Sequence, residues 1–343
     1  MFDSPQLAQA VSAFVAKLDV VQLMMGVLGL LALAITALEG LLIGRRPRGE
    51  PYDWRAFWTT VRINLWRAAA ESIPMGLVLG VSLPFGAWMY AHRLWTVPMD
   101  TPLGWVAMFF TTEFFYYWLH RAGHRIRWYW ASHQVHHSGN QYNLAAAFRQ
   151  SITGKISGGF VFFAPQCLLG FSPDAVLVSY GLNLVYQFWI HTDMVKKMGW
   201  MEGWFNTPSA HRVHHAANVE YLDCNYGGTI MVFDRLFGTY VPEKDGVPIR
   251  YGLVKPQTSY TAIRICLSEW LAIGRDLLKV RSPRDLFGYL FGPPGWAPNG
   301  QGMTTDVLRA KMKALTGSAT GVPPEALLDG KLPEARMGRA AAA

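Results

Sequence analysis

The chain has 343 residues, 51% of them hydrophobic, with 14 Trp, 14 Tyr and 19 Phe and a formal charge of +8, enough for one large domain or two small ones. The basic residues sit at the ends of long apolar runs rather than on polar, aromatic-studded segments, which argues against nucleic acid and for a membrane protein. Cys167, Cys224 and Cys266 are widely spaced, form no CxxC pair, and read as reduced thiols facing cytosol or lipid.

In chain order, residues 1–19 form a short lead-in with few charges, and 20–43 are long enough to cross a bilayer with Glu39 as their single charge. Arg45, Arg46, Arg48 and Arg55 follow. No basic stretch precedes the run, which is too long for a cleaved signal, so a retained anchor with its C-terminal end in the cytoplasm is expected. Residues 50–67 mix Trp and Arg, as the headgroup layer favours. The run at 68–91, with Pro74 and Pro84 as candidate kinks, carries the chain to the outer side, where His92 and Arg93 lie. Residues 103–119 return inward and deliver His120 to the cytoplasmic surface. His92 is thereby separated from the other histidines and excluded as a ligand.

Residues 156–190 hold two short apolar pieces joined at Ser172 and Pro173, which suggests a hairpin that dips into the bilayer and leaves His191 on the cytoplasmic side. Trp200, Trp204 and Phe205 after Lys196 and Lys197 read as an interfacial segment. In NTPSAHRVHH, Thr207 or Ser209 can cap a helix whose first turn holds Pro208. Residues 261–280 have helical amphipathic spacing, 292–300 form a loop, and 303–343 give one helix and a partly disordered tail. The expected fold is all-α: an integral-membrane helical bundle over 20–302, with a cytoplasmic helical cap that carries a histidine-rich site for two metals.

That site rests on three motifs. His120 and His124 lie in HRAGH, His133, His136 and His137 in HQVHH, and His211, His214 and His215 in HRVHH. A lone histidine is usually a surface or satisfied core residue, but eight of the ten fall in these motifs, and two motifs share the pattern HxxHH. On a helix, residues three and four apart share a face, so each motif can aim two imidazoles at one point. Eight imidazoles exceed the three or four protein ligands of one zinc site, which favours two metals. His191 is a ninth candidate by its position. Glu113 lies seven residues before His120 in an otherwise apolar run. It is expected to face a polar cavity below the metals, shared with Tyr116, and to orient a ligand imidazole. Asp223 and Asn225 lie close enough in sequence to support the third motif, and with Glu113 they complete the candidate catalytic set.

Neutral imidazole binds iron, copper, zinc or nickel, so the ligands alone do not name the metal. No nucleophile elbow, HExxH, P-loop or convincing GxGxxG accompanies them. A histidine site at the mouth of a membrane bundle suits attack on an unactivated C–H bond of a lipid, for which redox iron is fitted and zinc is not.

HRAGH, HQVHH and HRVHH, with EFFYYWLHR, HHSGNQYNLAAAFRQS, QFWIHTD and NYGGTIMVFDRLFGTYVPE around them, resemble the fatty acid hydroxylase/sterol desaturase superfamily of membrane di-iron oxygenases. The resemblance covers roughly residues 100–256. YNLAAAFRQS and the PPGW tail look nearest to its alkylglycerol monooxygenase-like branch, which acts on ether lipids. The resemblance implies two irons on the eight motif histidines and His191, and monooxygenation with dioxygen and two electrons from a separate reductase, ferredoxin or pterin. Ala210 departs from the pattern, since many relatives place a further histidine there. Desaturation, or another oxidation of a sterol, carotenoid or lipid headgroup, is the rival within the superfamily. A non-redox protein that binds or moves zinc is the rival from another class.

Overall fold

The computed structural model describes residues 26–27, 29–45, 51–71, 74–316 and 327–328, so part of the expected first span, and most of the tail, lie outside the described residues. The chain divides into two units, Met1–Trp54 and Arg55–Ala343. The first contains helix α1 (29–44), and in it the rings of Tyr52 and Trp54 meet edge-on at 4.7 Å.

The second unit is built from α2 (Trp54–Glu71), α3 (Pro74–Ala91), α4 (Pro102–Arg125), α5 (Arg127–His137), α6 (Ala145–Phe148), α7 (Ala164–Leu168), α8 (Pro173–Ile190), α9 (Pro208–His214), α10 (Val232–Leu236), α11 (Ala262–Leu277), α12 (Pro283–Phe291) and α13 (Thr305–Thr316). Among the described residues extended pairing is confined to isolated bridges such as Phe205 with Ile230, so the fold is all-α. No helix of the described residues is long and apolar enough to cross a membrane.

The centre of the unit is α4. Thr101 caps it by accepting from the Gly104 N–H at 3.1 Å, with Pro102 in the first turn. Met108, Thr112, Tyr116, His120 and His124 are buried along it. This four-residue spacing keeps them on one face that drifts slowly round the helix. The C-terminal part of that face carries two motif histidines, and the helix stops where Ile126 takes an extended conformation. Helix α8 answers it with Ser179, Asn183 and Gln187, also buried at four-residue spacing. The two polar stripes interlock: Thr112 Oγ1 lies 2.8 Å from Ser179 Oγ, and the Tyr116 hydroxyl donates to Gln187 Oε1 at 2.8 Å. Below them Met108, Phe163, Cys167, Phe171 and Val176 form an apolar core.

The first arm of the expected hairpin is not one continuous helix. It is a 3-10 turn at Gly159–Phe162 followed by the five-residue α7. Glycines account for the break: Gly158 and Gly170 have φ of 86° and 109°, a region that side chains with a Cβ disfavour. At Gly170 a Cβ would also meet the Trp95 carbonyl oxygen at 2.3 Å. The second arm is α8, preceded by Ser172 as expected. Pro74 begins α3 rather than interrupting it, while Pro84 lies inside it.

Helix α11 packs on α5 through Ile265, Cys266 and Val135, joined by Ile63 of α2. Buried Arg127, at the start of α5, reinforces this packing: its Nε donates to Glu269 Oε1 at 2.7 Å and its second guanidinium nitrogen pairs with Asp276 at 2.8 Å. Replacing Arg127 with Met leaves Glu269 without this cation and leaves Asp276 with Lys279 alone, 2.8 Å away. Because both carboxylates are 23% exposed, the variant should lose about 1–2 kcal/mol of stability, measured as a fall in the unfolding midpoint in detergent; an unchanged midpoint would show that the pair contributes nothing.

Candidate metal centre

Nine histidines gather where α4, α5, α8 and α9 end. His120, His124, His133, His137 and His214 form one group, and His136, His191, His211 and His215 another; in each, the nearest ring nitrogens all lie within 4.8 Å of one another. The HxxHH motif explains the division. In HQVHH the pair four apart, His133 and His137, enters the five-histidine group, while His136 turns to the other. In HRVHH the roles are exchanged: His211 and His215 enter the four-histidine group and His214 crosses over. Consecutive helical residues diverge by about 100°, so each HH pair serves two centres. The two helices are thereby locked to both groups.

The tautomers follow from the partners, because a carbonyl oxygen only accepts. His120 Nδ1 therefore donates to the Tyr226 carbonyl at 2.9 Å, His214 Nδ1 to the Cys224 carbonyl at 2.9 Å, and His191 Nδ1 to the Gln187 carbonyl at 2.6 Å. In a neutral ring the proton on Nδ1 leaves a lone pair on Nε2. Those Nε2 atoms point inward: His120, His214 and His215 have Nε2 buried without a hydrogen-bond partner. His191 Nε2 lies 3.2 Å from His136 Nε2 and 3.0 Å from His211 Nε2. In the other group His133 Nε2 is 3.1 Å from the Nε2 atoms of both His124 and His137. Ring nitrogens converging at such distances, with lone pairs fixed on Nε2 of His120, His191 and His214, fit cations at the centres.

Charge state supports the same fit. Burial, with neighbouring imidazoles adding to it, lowers His120 from its ordinary 6.5 to about 3, and burial lowers His191 to about 4. The other histidines of the four-histidine group, and His133, His137 and His214, are also held well below the ordinary value, first by burial. Neutral imidazole is the ligating form.

The remaining candidates occupy supporting positions. Asp223, with φ of 54°, places Oδ1 3.7 Å from His124 Nδ1 and accepts from Arg125 at 2.9 Å. It thus supports the first motif, not the third. Burial raises its carboxyl, but His124, Thr305 and Arg125 together outweigh this and hold it below the carboxylate range. Asn225 bonds the residue before the third motif: its Nδ2 donates to the Ala210 carbonyl at 3.0 Å, while its Oδ1 accepts from Val241 N–H at 2.8 Å. Ala210 itself stays outside both groups. Glu113 differs from the expectation. Its oxygens accept from Asn183 Nδ2 at 2.5 Å and from the N–H groups of Thr229 and Ile230 at 2.8 and 3.1 Å, rather than from an imidazole. The reason is reach, since seven residues of helix separate it axially from His120 by about 10 Å. His92 is exposed and bonded to its own helix at the Trp88 carbonyl, 2.8 Å away.

Sequence reasoning passed over Asp234, Asn206, Gln187 and the carbonyls of Cys224 and Tyr226. Asp234 and the two carbonyls lie in the YLDCNYGGTIMVFDRLFGTY region, where the density of Asp, Asn and Gly was the available signal; main-chain acceptors leave no trace in side-chain identity.

Two buried all-imidazole groups of this kind define a metal-binding helical protein. Residues 105–239 match the fatty acid hydroxylase family. Alkylglycerol monooxygenase of Xenopus tropicalis is 38% identical over 207 residues, 60% of this chain and 46% of the relative, and that of Homo sapiens is 37% identical with the same coverage. Ornithine lipid hydroxylase OlsE of Rhizobium tropici is 25% identical over 180 residues, covering 52% of this chain and 53% of the relative. No solved structure matches. Residues 105–239 are thus similar to the fatty acid hydroxylase family, and the chain resembles the alkylglycerol monooxygenases, about half of whose length it spans.

Two predictions follow from the protonation states and the geometry. In metal-free protein the unfolded chain takes up protons on these histidines below pH 6.5 while folded His120 and His191 resist until about 3 and 4. Stability is therefore full above pH 6.5 and falls as the pH drops toward 4, with the unfolded state binding more protons; a thermal midpoint constant over that range would contradict the buried neutral state. His214→Ala and His136→Ala should each lower bound metal, one at each group, whereas His92→Ala should leave metal content unchanged, as read by elemental analysis.

Proposed function

We propose that this protein is a membrane di-iron monooxygenase that hydroxylates an unactivated C–H bond of a lipid, using dioxygen and two electrons from a separate reductase, ferredoxin or pterin. The observation that carries this reading is the pair of adjoining all-imidazole groups that share both HH pairs. Nine imidazoles would hold the ions, five at one and four at the other. Iron, when bound, supplies the dioxygen-activating redox chemistry that no side chain offers for such a bond.

The chain's own contribution is to fix and shield that centre. Main-chain carbonyls keep Nδ1 protonated on His120, His191 and His214, and so keep the three Nε2 atoms available as ligands. Eight of the nine histidines are buried and His133 is nearly so, which limits water beside a reactive centre. Lipid as substrate and surroundings is supported by exposed apolar residues on the helices that lead to the histidines. Leu103, Val106 and Phe110 stand out on the first half of α4, and Leu177, Leu182 and Val185 on α8; such surface calls for an apolar covering. Both helices deliver their histidines at their C-terminal ends, which suits a site at the cytoplasmic lip of a bilayer. The named activity of the alkylglycerol monooxygenases makes a glycerol ether lipid the first substrate to test.

The protein in lipid nanodiscs, given an alkylglycerol, a reductant and dioxygen, should yield a product one oxygen heavier, or the aldehyde released from its collapse. Loss of two hydrogens would assign desaturation instead. Full activity with zinc in the absence of dioxygen would reject the oxygenase reading.

A further inference from the structure

We propose that residues 224–230 form a backbone strap that aims two imidazoles of the five-histidine group, and that Asp234, together with Glu113, is a positioning residue that holds the strap in register. This rests on the two-metal reading above and adds to it the groups that set one centre's geometry.

Two strap carbonyls face the histidines: Cys224 accepts from His214 and Tyr226 from His120, both at 2.9 Å. Ring orientation at His120 and His214 therefore follows the strap's position. The strap's N–H groups point the other way, into two buried carboxylates. Asp234 Oδ1 accepts from Tyr226 N–H at 2.8 Å and Oδ2 from Gly227 N–H at 2.7 Å, while Glu113 Oε2 takes Thr229 and Ile230. Asp234 is fully buried and Glu113 is 1% exposed. Carboxylates at that depth must be hydrogen-bonded to be tolerated, and here one segment's main chain supplies two donors to each.

The remaining contacts close the clamp. Asn206 Nδ2 donates to the carbonyls of Gly227 and Gly228 at 2.7 and 3.1 Å. No side chain fits at these glycines: a Cβ would come 2.2 Å from the Ile230 carbonyl oxygen at Gly227, and 2.1 Å from Asn183 Nδ2 at Gly228. Thr239 Oγ1 donates to Asp234 Oδ1 at 2.6 Å, fixing the carboxylate in turn.

The four-histidine group is supported differently. His191 uses the Gln187 carbonyl of its own helix, and His136 Nδ1 lies 3.4 Å from Gln150 Nε2. The two systems meet at Asn206, whose Nδ2 is also 3.4 Å from His211 Nδ1. The strap makes two 2.9 Å bonds to rings of the five-histidine group and reaches the other group only through this 3.4 Å contact, so loosening it should weaken one metal centre and spare the other.

The test is anaerobic titration of the full-length protein in nanodiscs with chelator-buffered ferrous iron, reading iron retained per chain. In Asp234→Asn one backbone N–H faces an amide N–H₂ instead of an oxygen. One of the two wild-type affinities should fall roughly 10- to 100-fold, as expected when a ligand's hydrogen-bond partner is disturbed, while the other stays unchanged. In a His214→Ala background the loss caused by Asp234→Asn should be smaller than in the wild type, because one of the two rings that the strap aims is gone. Thr239→Val keeps the carboxylate and removes one of its donors; it should show the same selectivity with smaller size, and it decides the matter if Asp234→Asn does not fold. Equal weakening of both centres, or no change at either, would overturn the strap. Wild-type protein that retains fewer than two irons would instead contradict the di-iron reading, and the strap would still be judged by the affinity of the ion that the five-histidine group holds.

Discussion

Everything in the second unit answers to one constraint: imidazole ring nitrogens are brought to within 3.0–3.2 Å of one another inside the protein. With a lone pair on each facing nitrogen, as metal binding requires, such an arrangement is electrostatically unfavourable when left alone. It persists only where surrounding structure imposes it and a cation relieves it. The long helices α4 and α8, the ion pairs that bind α11 to α5, and the capped start of α9 impose it.

Burial and hydrogen bonding act together at this point. Taking the rings out of water disfavours their protonated form, and fixing Nδ1–H on main-chain carbonyls decides which nitrogen is left to bind. Neither alone makes a ligand set: buried imidazoles with the wrong tautomer would present N–H groups to one another, and exposed ones would protonate near neutrality. The polar stripe Ser179, Asn183 and Gln187 carries the same logic down into the apolar part of the bundle, where it meets Thr112, Glu113 and Tyr116.

How much of this was legible in the sequence differs by element. The motif histidines and the cap at Thr207 were readable because helical periodicity relates spacing to direction without reference to the rest of the fold. The crossing of His136 and His214 between groups was implicit in HxxHH, but which group each joins depends on how α5 and α9 face each other, and no local pattern encodes that. Glu113 was found as a buried charge, yet its partner was misplaced: spacing told which face it occupied and not what loop would come to meet that face. The strap at 224–230 escaped notice because its function lies in carbonyls and N–H groups that every residue possesses. The broken first arm of the 156–190 segment follows from Gly158 and Gly170, whose positive φ values interrupt a run that hydropathy alone reads as continuous.

Anomalous scattering at the iron absorption edge, from crystals of protein prepared with ferrous iron and no other transition metal, tests the central claim most directly. Two peaks, one enclosed by His120, His124, His133, His137 and His214 and the other by His136, His191, His211 and His215, are the expected result. A single peak, or none within either ring of imidazoles, would contradict it.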